Sequence, residues 1–160
     1  MAPHRDVVVV GVPSPSPIEY DSRLIELSLQ LCVRFMQLTS HHQSLLATGC
    51  YEDEDTGLTR FGKQAIAEMN RVGLVVDMSH SADRSTLEAI DHSTRPIAIT
   101  HATPAWWHAA THNTSPAGRS ALTSALGMLA FSLDPHHLRD RPACTLHSCG
   151  PMHDDTAQTM

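Results

Sequence analysis

Apolar positions along the chain come as short unbroken runs separated by stretches at helical spacing, and that alternation predicts the architecture. Val7–Val12 (VVVVGV) is a continuous β-branched run, the pattern of a strand buried on both faces. The proline-serine stretch Pro13–Pro17 closes it, because each proline removes a backbone donor and restricts the residue before it. From Glu19 to Leu31 the apolar positions Leu24, Ile25, Leu27 and Leu31 recur at helical spacing. Val33–Thr39 (VRFMQLT) then alternates as a strand with Val33, Phe35 and Met36 on the core side. Ser40–Gly57 is polar and rich in small residues, a long loop of the kind that carries function.

The second half repeats the theme. Thr59 reads as an N-cap, Phe61, Ala65, Met69 and Val72 as the buried stripe of a helix, and Gly73 as its C′ residue. Leu74–Met78 is a strand leading into His80 (DMSH), and Ala82–Ile90 a helix with Asp83 in its first turn. Pro96–Thr100 is a strand that ends at His101. Trp106, Trp107 and His108 follow in a loop or short helix, where the tryptophans either wall a pocket or pack on outer helices. Ser115–Leu126 is helical after Pro116, and Gly127–Leu133 is a fifth strand. Beyond Pro135 periodicity dissolves, so residues 139–160 read as an irregular tail and residues 1–138 as the domain.

Five strands alternating with four helices indicate a parallel α/β fold. No G-x-G-x-x-G follows the first strand, which removes support for a dinucleotide site. The 160 residues fall short of the roughly 250 of a complete (β/α)8 barrel. The pattern therefore describes either an open five-stranded sheet or part of a barrel.

Composition narrows the function classes. Hydrophobic residues at 41% and charged ones at 18% suit one folded domain rather than disorder. A net charge of -6 offers no basic footprint for nucleic acid. Val7–Val12 is too short to span a bilayer and lacks the flanks of a signal peptide, so a cytoplasmic location is expected. Cys32, Cys50, Cys144 and Cys149 show no disulfide framework and read as reduced thiols. Twelve histidines is the unusual count, and it directs attention to metal chemistry.

His80 and His101 each end a predicted strand, on the face where barrel enzymes gather their catalytic groups. Two imidazoles from neighbouring strands can converge on one metal ion; the competing reading is that each hydrogen-bonds backbone at a strand end. His4-Arg5-Asp6 precedes its strand and so belongs to the opposite end of a parallel sheet. His41-His42 lies on the correct face, but adjacent residues point apart, so at most one can serve the site. His136-His137 reads as surface, and Glu52–Asp55 as a solvated acidic loop. Cys144, His147, Cys149 and His153 lack the paired spacing of a zinc knuckle.

The blocks CYEDEDTGLTRFGKQAIAEMNRVGLVVDMSHS, RPIAITHATPAWWH and GMLAFSLDPHHL, preceded by PSPIE and VRFMQLT, resemble the renal (membrane) dipeptidase family of zinc peptidases over residues 7 to 138. The resemblance implies part of a (β/α)8 barrel, from about the third strand to the seventh. It also implies a binuclear Zn²⁺ site with His80 and His101 among its ligands, and hydrolysis of a dipeptide or small amide by metal-activated water. Three positions depart from the family pattern. Pro13 stands where a bridging glutamate is expected, with Glu19 the nearest carboxylate beyond it. Ser40 replaces a substrate-contacting histidine, with His41 adjacent, and His112 before Asn113 replaces a substrate-binding arginine. The family's first-strand His-x-Asp pair and last catalytic aspartate have no counterpart here. The resemblance thus implies a metallo-dipeptidase, and the departures leave open a non-catalytic remnant or partner-binding fragment. Open sheet edges would favour oligomers.

Overall fold

In the computed structural model, residues 8–103, 105 and 114–132 are described. Five strands, β1 (Val10–Val12), β2 (Val33–Gln37), β3 (Val75–Asp77), β4 (Ala98–Ala102) and β5 (Met128–Phe131), pair in chain order. Every pairing is parallel. Four helices connect them: α1 (Leu24–Gln30), α2 (Arg60–Val72), α3 (Asp83–His92) and α4 (Pro116–Ser124). Each strand lies beside its predecessor after one helical crossover, and the repeated unit curls into a half-barrel with its helices outside.

The local code for α2 is the clearest. Thr59 Oγ1 accepts from the Gly62 N–H at 2.9 Å, and Gly73 closes the helix in the left-handed conformation (φ 85°), its N–H on the Met69 carbonyl. Between these caps Ala65, Ile66 and Met69 are fully buried. They join Met36, Leu38, Leu74, Val76, Met78 and Ile99 in one core between the sheet and the helix layer. Ser115 caps α4 in the same way, accepting from Gly118 N–H at 3.1 Å, with Pro116 at the first helical position.

The inner face of the arc is different. Gly11, Phe35, Gln37, Asp77, Thr100 and Met128 line an open hollow of about 540 Å³.

Two predicted elements differ in the structure. The Val7–Val12 run is not a strand buried on both faces: β1 starts at Val10 and forms a sheet edge among the described residues, with Val8 88% and Val9 51% exposed. The predicted helix from Glu19 begins only at Leu24. A 3-10 turn at Ser16–Ile18 comes first, and then Asp21 binds the Arg23 guanidinium at 2.7 Å. Ile18 and Ile25 take the buried positions there, while Leu27 and Leu31 face outward. The predicted 139–160 tail lies outside the described residues.

Candidate metal centre

The site is built at the C-terminal ends of β2, β3 and β4. Gln37 and Asp77 are register partners, and both are buried. Asp77 Oδ1 accepts from the backbone N–H of Ser79 (3.0 Å) and Thr100 (3.3 Å) and from the Ser79 hydroxyl. Its Oδ2 accepts from the Thr100 hydroxyl at 2.6 Å and, at 3.5 Å, from Gln37 Nε2. A buried carboxylate needs such donors, and here they lace three strands together.

His101 lies within β4 rather than just beyond it, because the strand continues to Ala102. Its orientation comes from a bulge. Ile99 pairs with Leu129 and Ala102 with Phe131, so β4 advances three residues where β5 advances two. The extra residue breaks the alternation, and the adjacent Thr100 and His101 both line the inner hollow.

His80 sits in the turn after β3. Its Nε2 lies 3.0 Å from His101 Nε2, with the rings edge to face at a centroid distance of 4.9 Å. The loop after β2 is fastened over this pair. Gly49 bridges Ser81, Cys50 N–H donates to the His80 carbonyl at 2.9 Å, and Ala82 N–H to the Thr48 carbonyl at 3.0 Å. Tyr51 N–H then holds the His41 carbonyl at 3.0 Å, and the His41 ring stacks on Tyr51 and tilts against His80, centroids 4.5 Å apart. A Cβ on Gly49 would overlap the His41 carbonyl oxygen, so this close crossing needs glycine. His42 turns the other way, to Glu52 at 3.3 Å. Of the His41-His42 pair, one ring therefore lies against His80 and the other does not.

The remaining candidates scatter. Pro13 lines the inner hollow with Asp77, Thr100 and His101. Ser40 and Glu19 line a separate hollow with His42 and Ser44. His112, Asn113, Trp106, Trp107, His108, His4-Arg5-Asp6 and the histidines and cysteines beyond Ser132 lie outside the described residues. Cys50 lines a neighbouring cavity of about 270 Å³ with Asp55, Met78 and Thr86, and burial pushes its thiol up, away from the thiolate form a metal would need. Asp77, Ser79, Thr100 and Tyr51 were not anticipated from sequence. The signal for the first was the aspartate of DMSH, a charged residue inside an otherwise apolar run.

These donors can be set against a metal. Two imidazole nitrogens on one tetrahedral ion lie roughly 3.3 Å apart, close to the 3.0 Å seen here. The same distance is that of a direct ring-to-ring hydrogen bond, so the pair supplies two nitrogen donors and, among the described residues, no group of three. A carboxylate-bridged pair of ions does not fit the described residues: none of them form a metal-holding group of three or more His, Cys, Asp or Glu. Asp77 is committed to its donors, and Pro13 offers none.

The described residues form a parallel half-barrel with two imidazoles paired at its C-terminal face. Residues 2–150 match the model of the membrane dipeptidase family, peptidase family M19, and the chain belongs to that family. An uncharacterised dipeptidase of Schizosaccharomyces pombe is 29% identical over 98 residues, which cover 59% of this chain and 24% of the relative. Rat dipeptidase 3 is 37% identical over 46 residues, or 29% of this chain and 9% of that one. An amidohydrolase structure from Pseudomonas aeruginosa superposes with a TM-score of 0.77 at 30% identity, covering 80% of this chain and 39% of its own. A metallopeptidase from Rhodobacter sphaeroides, solved with a phosphinate mimic of L-Ala-D-Ala, shares the fold with a TM-score of 0.77 at 19% identity, covering 86% and 43%. The chain thus spans about a quarter of the yeast relative's length and about two fifths of these solved chains.

Proposed function

We propose that this chain carries the imidazole face of a metal-dependent dipeptidase and that its ancestral reaction is hydrolysis of the amide bond in a dipeptide or similar small amide. The observation that carries the reading is the His80–His101 pair, Nε2 to Nε2 at 3.0 Å, of which His101 lines the inner hollow. His80 and His101 would hold one divalent cation, Zn²⁺ being the ion the family resemblance implies. Such an ion supplies Lewis-acid polarisation and a water of lowered pKa. Asp77 and Thr100 hold His101 in place, and His41, stacked on Tyr51 and tilted against His80, would be the nearby imidazole to meet a substrate.

A second reading is favoured by Pro13, which lines the hollow without a side-chain donor atom: a binding remnant that keeps a cation but does not turn over. Among the described residues β1 and β5 each pair with one strand only, which suits association with further barrel elements in either case. Equilibrium dialysis with Zn²⁺, on wild type and on His80→Ala and His101→Ala, tests the shared site. Unchanged stoichiometry and affinity in both variants would sink it. Hydrolysis of a dipeptide panel, abolished by chelator, then separates enzyme from remnant.

A further inference from the structure

The proton order around Thr100 decides which face His101 offers. Asp77 is an acceptor on both oxygens. Its Oδ1 takes the Ser79 hydroxyl proton, and its Oδ2 lies 2.6 Å from Thr100 Oγ1, a charge-assisted distance. Gln37 Nε2, at 3.5 Å, is too distant to displace that bond. A threonine hydroxyl has one proton, and here it goes to Asp77. The 2.9 Å contact between Thr100 Oγ1 and His101 Nδ1 must then run the other way, from ring N–H to hydroxyl oxygen. Ser79 Oγ, 3.1 Å from Thr100 Oγ1, has already committed its proton and is instead an acceptor for the Thr100 N–H at 2.8 Å.

We infer that Asp77, acting through Thr100, is a positioning residue that locks His101 in its Nδ1–H tautomer and so presents the Nε2 lone pair toward His80. The inference rests on the proposed metal reading only for its use; the tautomer is a property of the metal-free chain. The bulge in β4 makes the relay possible, since it lets two successive residues serve the same hollow. Replacing the carboxylate by an amide reverses the order. In Asp77→Asn the side-chain amide can donate to Thr100, whose proton then turns to His101 Nδ1 and leaves the ring protonated at Nε2.

The test is ¹⁵N–¹H long-range NMR of the metal-free chain at a pH where imidazole is neutral, with His101 assigned by His101→Gln. Wild type and Thr100→Ser are expected to show His101 protonated at Nδ1. Asp77→Asn and Thr100→Val are expected to move it toward Nε2–H, with Zn²⁺ affinity by dialysis about 10–100-fold weaker and circular dichroism unchanged. Nε2 protonation of His101 in wild type overturns the inference, as does Nδ1–H retained in both altered variants. Normal tautomers with no Zn²⁺ binding anywhere would instead overturn the metal reading and leave the relay standing.

Discussion

His80 Nε2 and His101 Nε2 meet at 3.0 Å although they are 21 positions apart in the chain, one held by a turn and the other by a bulged strand. The His80 carbonyl accepts from the Cys50 N–H and His101 Nδ1 meets Thr100 Oγ1, so contacts within the chain hold the pair. Removing one partner takes away half of the donor set, whereas removing Thr100 only misdirects it. His80→Ala and His101→Ala should each weaken Zn²⁺ binding by more than the roughly 100-fold ceiling of an outer-partner change. Competition dialysis against a calibrated chelator ranks the three variants. Thr100→Val at least as damaging as His101→Ala would contradict this ordering.

Gly49 marks where the loop after β2 crosses the histidine pair. A methyl there meets the His41 carbonyl carbon at 2.5 Å and its oxygen closer still, both backbone atoms that cannot swing aside. Gly49→Ala should cost about 1–3 kcal/mol, the range for overpacking. Urea denaturation measures the loss. The His41–His80 nuclear Overhauser contacts should fade with it, because the Gly49–Ser81 bridge is what carries His41 over. A variant with wild-type stability and intact contacts would show that the loop has another anchor.

Much of this could be read beforehand, and the limits have physical causes. α2 is encoded locally: Thr59 and Gly73 mark its ends, and its apolar stripe fixes the face it buries. The histidines at the ends of two consecutive predicted strands required only strand periodicity. Val7–Val12 failed for a different reason. A β-branched run has the same pattern whether flanked by two strands or by one, and only the assembled sheet shows Val8 and Val9 exposed. The bulge at Thr100 and His101 depends on register with β5, some thirty residues on, so alternation along β4 alone could not reveal it. The Asp77–Thr100 contact and the reach of His41 are likewise products of pairing between segments.

Glu88 ties α3 to the entrance of α2, its Oε1 taking Arg84 Nε at 2.8 Å and its Oε2 the Leu58 N–H at 3.0 Å. The Arg84 hydrogen bond, then that of Leu58, hold its carboxyl below the ordinary glutamate value of 4.5. A carboxylate with a depressed folded pKa contributes stability that is complete above its unfolded value and fades as pH falls through the folded one. Glu88→Gln should therefore melt lower than wild type at neutral pH, and the gap should close as pH drops from the ordinary glutamate value through the lower folded one. Thermal melts at a series of pH values check the sign. A gap that widens in acid would mean that Glu88 acts through packing rather than charge.

The exposed valines of the β1 edge and Met128 at the β5 edge predict how the chain behaves in solution. Val9 is 51% and Met128 45% exposed, and both also line the inner hollow. Among the described residues β1 and β5 each pair with one strand only, and an apolar inner face lowers its free energy by packing against another strand-bearing surface. Sedimentation velocity should show association that grows with concentration, together with binding of an apolar-surface dye. Val9→Lys combined with Met128→Lys should suppress both, because each lysine places a charge where a partner would have to desolvate it. The core between sheet and helices contains neither residue, so the double variant should keep its helical signal. A monomer that ignores the dye at every concentration would mean that the inner face is already covered within one chain.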